Sequence, residues 1–440
     1  MKKINNIGLN NAKAPFRGLG VQPPISPITH IPLPQVEKTS LGNGLPVHCI
    51  HDDSMEVLRI DFMYRCGSWQ QDKPLISFLT SQMLKEGSAL FNSQQIAEKM
   101  DFYGSSLQFS SSYHYSYVTV YSLTKYVQQT LEVVADLLLH PTFPVAQFDV
   151  LLNKRRQHFL LDEEKVQILA SKKFGACIYG SNHPYGKTAV LSDFNQVSLN
   201  EIRTFFHNYY TLSNCQIILS GKIENTVLQQ LETYFGRQPL SNKEYVTKQF
   251  QIQSAVDKKH LVPKADALQA AVRIGCKAFN SKHPDFCGMK VVSMVLGGYF
   301  GSRLMSNIRE EKGYTYGINS SLVALREGGS FSISTETGVE YVDLLISEVY
   351  KEMEKLCLKL ISEEELSMVR NFMLGEAARM LDGTFSMADV YISMMANAVD
   401  TTHYRKQLET IRTITPLQIQ ALAQKYFVKD TFYEVVAGKK

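Results

Sequence analysis

The nearest approach to a metal-ligating constellation in this chain is "HCIHDD", His48 to Asp53. Imidazoles beside carboxylates are the groups that hold zinc. A strand through this segment, however, sends His48 and His51 to opposite faces. His114, His140, His158, His183 and His207 stand isolated, and the one in "HPYG" has the look of a turn residue. Nucleophilic chemistry finds no better footing. No GxSxG occurs, so the strand-to-helix turn that exposes a reactive serine is missing, and no cysteine sits in a recognisable nucleophile context. The glycines of "LGGYFGSR" come without the lysine of a phosphate loop and fit the start of a helix.

A segment that looks as though it should do chemistry is "PLISFLTSQMLKEGS", residues 74–88. Its apolar residues recur at helical spacing, and it stops at a charged last turn followed by Gly87. Before its charged last turn, no side chain on this helix is a strong metal ligand or a general base.

Composition sets the outer limits. A chain of 440 residues with 44% hydrophobic content can bury a sizeable core spread over more than one domain. Its 46 basic and 42 acidic residues nearly balance, with no long run of either sign, so nucleic acid is not an expected partner. Seven widely spaced cysteines with no CxxC pair are no disulfide framework. A reducing, cytoplasmic setting fits them best. No apolar run is long enough to span a bilayer, and the start of the chain lacks the apolar region of a secretory signal; no membrane role is expected. The proline-bearing "VQPPISPITHIPLPQ" cannot form the helix of a transit peptide, and residues 1–37 are expected to form an extended arm.

The elements fall into a weak internal repeat. In the first half, "EVLRIDFMYRCGSW" is a strand, "GSSLQFSSSYHYSYVTVYSLT" a long alternating strand, "KYVQQTLEVVADLLLHP" and "VAQFDVLLNKRRQHFL" helices, and "NCQIILSGKI" a closing strand. The second half repeats the order: strand "ALQAAVRIGCKAF", helix "DFCGMKVVSMVLGG", a strand pair through "YTYGINSSLVALREGGSFSISTET", two long helices, and closing strand "FYEVVAG". The expected fold is α+β, two similar domains, each a mostly antiparallel sheet with helices packed on one face. The first should occupy residues 38–235 and the second 263–440. Between them, 236–262 is a polar, lysine-bearing linker region near Pro239 and Pro263.

Six phrases, "LGNGLPVHCI", "CGSW", "EKMDFYGSSLQ", "LLLHPTFP", "YGSNHPYGK" and "GSRLMSNIREEKGYTYG", then stand in an order that resembles the inverzincin zinc peptidases, the M16 family of pitrilysin, insulin-degrading enzyme and mitochondrial processing peptidase. The resemblance covers nearly the whole chain after residue 38. It implies that residues 74–88 match the family's HxxEH helix, in which two histidines one turn apart hold zinc and the glutamate activates the bound water. Counted back from Gly87, the motif falls on Phe78, Ser81 and Gln82. The family's third ligand falls near Arg156 or Gln157. None of these is a good zinc ligand, so the chain itself is expected to hold no metal.

The resemblance also implies what is kept. Family members carry an arginine and, seven residues on, a tyrosine that reach the substrate carbonyl from the second domain, and Arg309 and Tyr316 stand at that spacing in "REEKGYTY". A guanidinium and a phenol are donors suited to an oxyanion. Gln108, Phe109 and Ser110 match the edge strand on which the family's substrates lie. A lost zinc motif beside a kept Arg/Tyr pair resembles the non-zinc subunit of a heterodimeric member, one half of a clamshell. Its implied partners are a homologous HxxEH-bearing subunit carrying the zinc and a peptide substrate, with a homodimer possible when that subunit is absent. The alternative is a catalytically inactive scaffold or peptide-binding homologue.

Overall fold

In the computed structural model, residues 28–240 and 247–439 are described. Most of the arm at 1–37, and residues 241–246 of the 236–262 linker, lie outside them. The first sheet contains β1 (Glu37–Ser40), β2 (Pro46–His51), β3 (Val57–Tyr64), β4 (Ser106–Ser111), β5 (Ser116–Leu123) and β6 (Cys215–Gly221) in the order β1-β2-β6-β3-β5-β4. The second contains β7 (Lys259–Pro263), β8 (Gln269–Ala278), β9 (Thr315–Leu325), β10 (Gly328–Gly338) and β11 (Tyr433–Gly438) in the order β7-β11-β8-β10-β9. Apart from the additional β1, the two orders are the same. In each sheet one pair is parallel, β2 with β6 and β7 with β11, and the other pairs are antiparallel. The α+β expectation and the repeat hold. β7 begins at Lys259, within the stretch read as linker.

One strand expectation is corrected. The alternating run through residues 104–124 is a hairpin rather than a single strand, with β4 and β5 joined by a turn in which the Ser112 amide donates to the Tyr115 carbonyl at 2.8 Å. The turn contains neither glycine nor proline, so the usual punctuation is missing.

Alternation decides which faces are covered. Leu58, Ile60 and Phe62 of β3 point into one core with the helices Ile76–Met83, Val127–Leu139 and Leu199–Tyr209. Ala270, Val272 and Ile274 of β8 do the same in the second half, against Phe286–Ser293 and Val342–Leu358. The opposite faces are covered by exchange. The helix Val166–Tyr179, from the first half, lays Ala170, Phe174 and Ile178 on Ala271, Val435 and Ala437 of the second sheet. The helix Thr384–Ala396, from the second half, lays Ala388, Tyr391 and Ile392 on Ile50, Met63 and Ile218 of the first. Each set has helical spacing, and burying the larger members, such as Phe174, Ile178 and Ile392, contributes roughly 1.5–3 kcal/mol apiece. The two halves are thereby packed into one another.

Polar ties reinforce the second exchange. Arg59 is buried on β3, donates to Asp61 through Nε (2.7 Å) and Nη2 (3.1 Å), and reaches Asp389 at 2.8 Å and the Phe385 carbonyl at 3.2 Å. Burial works against its charge, but Asp61 and Asp389 more than offset this and raise its pKa. Tyr391 bonds His48 at 2.9 Å, and Thr384 donates to Asp52. Burial lowers the pKa of the His48 ring.

Candidate peptide-binding and composite site

The helix Ile76–Met83 buries Ile76, Leu79 and Met83. It tightens into a final turn at Leu84–Glu86 and ends at Gly87, whose φ of 159° and approach to Thr142 leave no room for a side chain. Phe78 projects outward at 38% exposure, Ser81 is buried and Gln82 is half-buried. From the neighbouring helix Val145–Glu163, the guanidinium of Arg155 lies 5.3 Å from the Phe78 ring centroid. Arg156 turns away to Asn195 at 2.8 Å, and Gln157 is exposed. A cation on an aromatic ring thus spans two helices at the segment read in the sequence as a degenerate zinc motif. These residues do not fit a metal, and among the described residues no group of three or more His, Cys, Asp or Glu side chains is placed to hold one.

Gln82 has a different task. Its Nε2 donates to the Phe109 carbonyl on β4 at 2.9 Å. Among the described residues β4 pairs only with β5 and stands at the sheet edge. On an antiparallel strand a residue's N–H and C=O point the same way. The Phe109 amide therefore faces the open edge together with the carbonyl that Gln82 holds. Gln108 and Ser110 expose their side chains, while Phe109 is half-buried against the first core. An extended peptide added to this edge would meet the Phe109 N–H and compete with Gln82 for the carbonyl.

Arg309 and Tyr316 come together on the other sheet. Arg309 leaves the helical turn Met305–Glu311, and its Nε donates to the Tyr316 carbonyl at 2.9 Å. Its guanidinium carbon lies 4.6 Å from the Phe300 ring centroid and 5.8 Å from that of Tyr316. The phenol is 93% exposed at the start of β9, the edge strand matching β4 in the repeat. Thr315 beside it is fixed by bonds to Thr335 (2.8 Å) and the Glu336 carbonyl (2.6 Å). Arg309 is held through Nε, and its Nη1 lies 3.7 Å from Glu310, so the guanidinium is fixed on two sides beside an exposed phenol. Tyr316 also lines a cavity of about 430 Å³ with Gln167, Arg273, Asn319 and Glu336, in which burial lowers the Arg273 pKa.

The Arg155–Phe78 contact was missed in the sequence. The basic pair at 155–156 was visible, but which member faced the motif depended on how two helices pack.

Comparison with known proteins follows this geometry. Residues 196–373 match the family described as the peptidase M16 inactive domain. An uncharacterized zinc protease, YmxG, of Bacillus subtilis is 22% identical over 355 residues, covering 80% of this chain and 86% of its own length. A non-peptidase homolog, YmxG, of Helicobacter pylori is 25% identical over 327 residues, covering 72% and 74%. Among solved structures, the M16 inactive domain from Pseudomonas fluorescens aligns with a TM-score of 0.79 at 21% identity, over 92% of this chain and 98% of that one. A protease from Helicobacter pylori aligns at 0.81 and 18%, over 92% and 100%. The M16 resemblance read from the sequence is borne out, with residues 196–373 matching the family's inactive domain. Among the described residues no helix is long and apolar enough to cross a membrane.

Proposed function

We propose that the chain is the non-zinc subunit of a heteromeric M16 metallopeptidase. Peptide is held along β4, and Arg309 and Tyr316 complete a composite site with a homologous HxxEH-bearing partner that carries the zinc. The observation behind this is the anchoring of Arg309 Nε on the Tyr316 carbonyl, which keeps a guanidinium face and an exposed phenol together. Such donors act on charge that develops as the carbonyl becomes tetrahedral, so they count for turnover more than for binding. Loss of one costs on the order of 3 kcal/mol, or about a hundredfold in rate.

The test is reconstitution with the HxxEH-bearing partner. Arg309→Ala and Tyr316→Phe should lower kcat steeply and leave association and folding intact, and Arg309→Lys should rescue poorly because an ammonium lacks the fork. Full activity in both Arg309→Ala and Tyr316→Phe complexes would refute the composite site. A second reading, a peptide-binding scaffold without turnover, is favoured by the Helicobacter pylori relative described as a non-peptidase. It is distinguished by peptide binding that persists with no partner-dependent cleavage.

A further inference from the structure

The cavity of about 430 Å³ beside Tyr316 holds a cation that the Arg309–Tyr316 pair does not use. Arg273 lies on the face of β8 that carries Ala271, the face on which the helix Val166–Tyr179 packs. Its cross-strand neighbours are Val435 on one side and Ser334 on the other, and Ser334 in turn faces Asn319 on the edge strand β9. Directly opposed residues share a face, with Cβ atoms about 5 Å apart. Arg273, Ser334 and Asn319 therefore form one row from the middle of the sheet to its edge, and all three line the cavity.

Arg273 is half-buried, and among the described residues it makes no hydrogen bond or ion pair. Its nitrogens are nevertheless not sealed from solvent. Burial without a counter-charge lowers its pKa, the mark of a cation short of a partner. Ser334 Oγ donates to Asn319 Oδ1 at 2.6 Å, which leaves the Asn319 amide nitrogen as a second donor in the row. Glu336 lines the same cavity one row along, yet forms no ion pair with Arg273 among the described residues. It stands where the register of β9 slips, opposite Tyr316 and Gly317. Such bulges re-aim side chains beside functional sites. A guanidinium with an amide nitrogen suits a carboxylate, and the Glu336 carboxylate next to them works against a dianion such as phosphate.

We infer that this cavity takes a carboxylate of the bound peptide, from an acidic side chain or from the C-terminus, paired with Arg273 and hydrogen-bonded by Asn319. The inference rests on the reading that peptide lies against Tyr316, and it adds a substrate class: peptides that present one negative charge beside the Arg309–Tyr316 pair. It does not depend on turnover.

The test is calorimetric titration of the full chain, with no partner present, using three acetylated nonapeptides of alternating serine and valine. One has a central glutamate and an amidated C-terminus, one has glutamine there and a free C-terminus, and one has glutamine and an amidated C-terminus. At least one of the two acids should bind about tenfold more tightly than the neutral peptide. An advantage for the glutamate form assigns the side chain, and one for the free form assigns the terminus. Arg273→Met, which keeps the stem without the charge, should remove that advantage and leave the neutral peptide's affinity unchanged. Asn319→Asp keeps the test open if Arg273→Met does not fold, because it changes only an exposed side chain; it should weaken the favoured acid alone. Equal binding of all three peptides, an advantage that survives Arg273→Met, or one undiminished by Asn319→Asp would overturn this inference alone. No binding of any of the three would overturn the peptide-holding reading together with it.

Discussion

The guanidinium of Arg155 rests 5.3 Å from the centre of the Phe78 ring, joining two helices at the segment whose sequence resembles the inverzincin metal motif. A cation there repels zinc even if the ligands on the first helix are restored.

Phe78→His, Ser81→Glu and Gln82→His together should therefore gain only weak zinc affinity. Adding Arg155→Glu should tighten it by about tenfold or more, since it removes a repelling charge and supplies a carboxylate from the facing helix. Competition with a chromophoric chelator measures both. Equal affinity with Arg155 retained would show that the stacked cation is irrelevant to the lost metal.

At the β4 edge, Gln82 occupies the Phe109 carbonyl that a peptide added there would need. Gln82→Ala frees the Phe109 carbonyl and should strengthen binding of an extended peptide by a few-fold, in line with about 1 kcal/mol for one hydrogen bond. Phe109→Pro removes the outward N–H and should weaken it, with some loss of stability from the half-buried ring. Fluorescence anisotropy with a labelled peptide reads both. Unchanged affinity in the two variants would remove β4 as the binding edge.

The tie between Arg59 and the exchanged helix predicts a stability effect of a particular kind. Arg59→Met leaves Asp61 buried beside Thr119 without its counter-charge and should cost about 3–5 kcal/mol. Adding Asp61→Asn should recover part of that loss. Additive destabilisation in a double-mutant cycle by urea unfolding would mean that the pair is not coupled.

Acid should unfold the protein through its neutral histidines. Burial first, then Arg326, Arg65 and His183, push His114 down from 6.5 to about 4. Tyr185 accepts the Glu327 amide at 3.1 Å and shares its own hydroxyl proton with His114 Nε2 at 2.6 Å, which suits an unprotonated nitrogen. A histidine whose folded pKa is depressed binds protons more readily when unfolded. Its contribution is thus intact above the unfolded value and is lost as pH falls from about 6.5 to about 4. The loss can reach roughly 3 kcal/mol for this residue. Melting temperature against pH should fall across that window, and His114→Gln should flatten the fall. An unaltered slope in the variant would show that His114 does not carry it.

Much of the fold was legible because it is written locally. Period-two and helical spacing marked the strands and helices of two repeating units, and Phe78, Ser81 and Gln82 are plainly not a set of zinc ligands. The spacing of Arg309 and Tyr316 was also plain, although their joining through Nε and a carbonyl was not. Tertiary structure decided the rest. Whether residues 104–124 ran straight or folded back depended on a turn with no glycine or proline. Whether a helix covered its own sheet or the other half's depended on apolar stripes, such as Ala388, Tyr391 and Ile392, that read the same in either place. The Arg155–Phe78 contact, the Gln82 bond to Phe109 and the unpaired Arg273 arise where residues distant in sequence meet. A periodic pattern states that a face is apolar, but the partner it buries, and the polar groups stranded there, are set only when the whole chain packs.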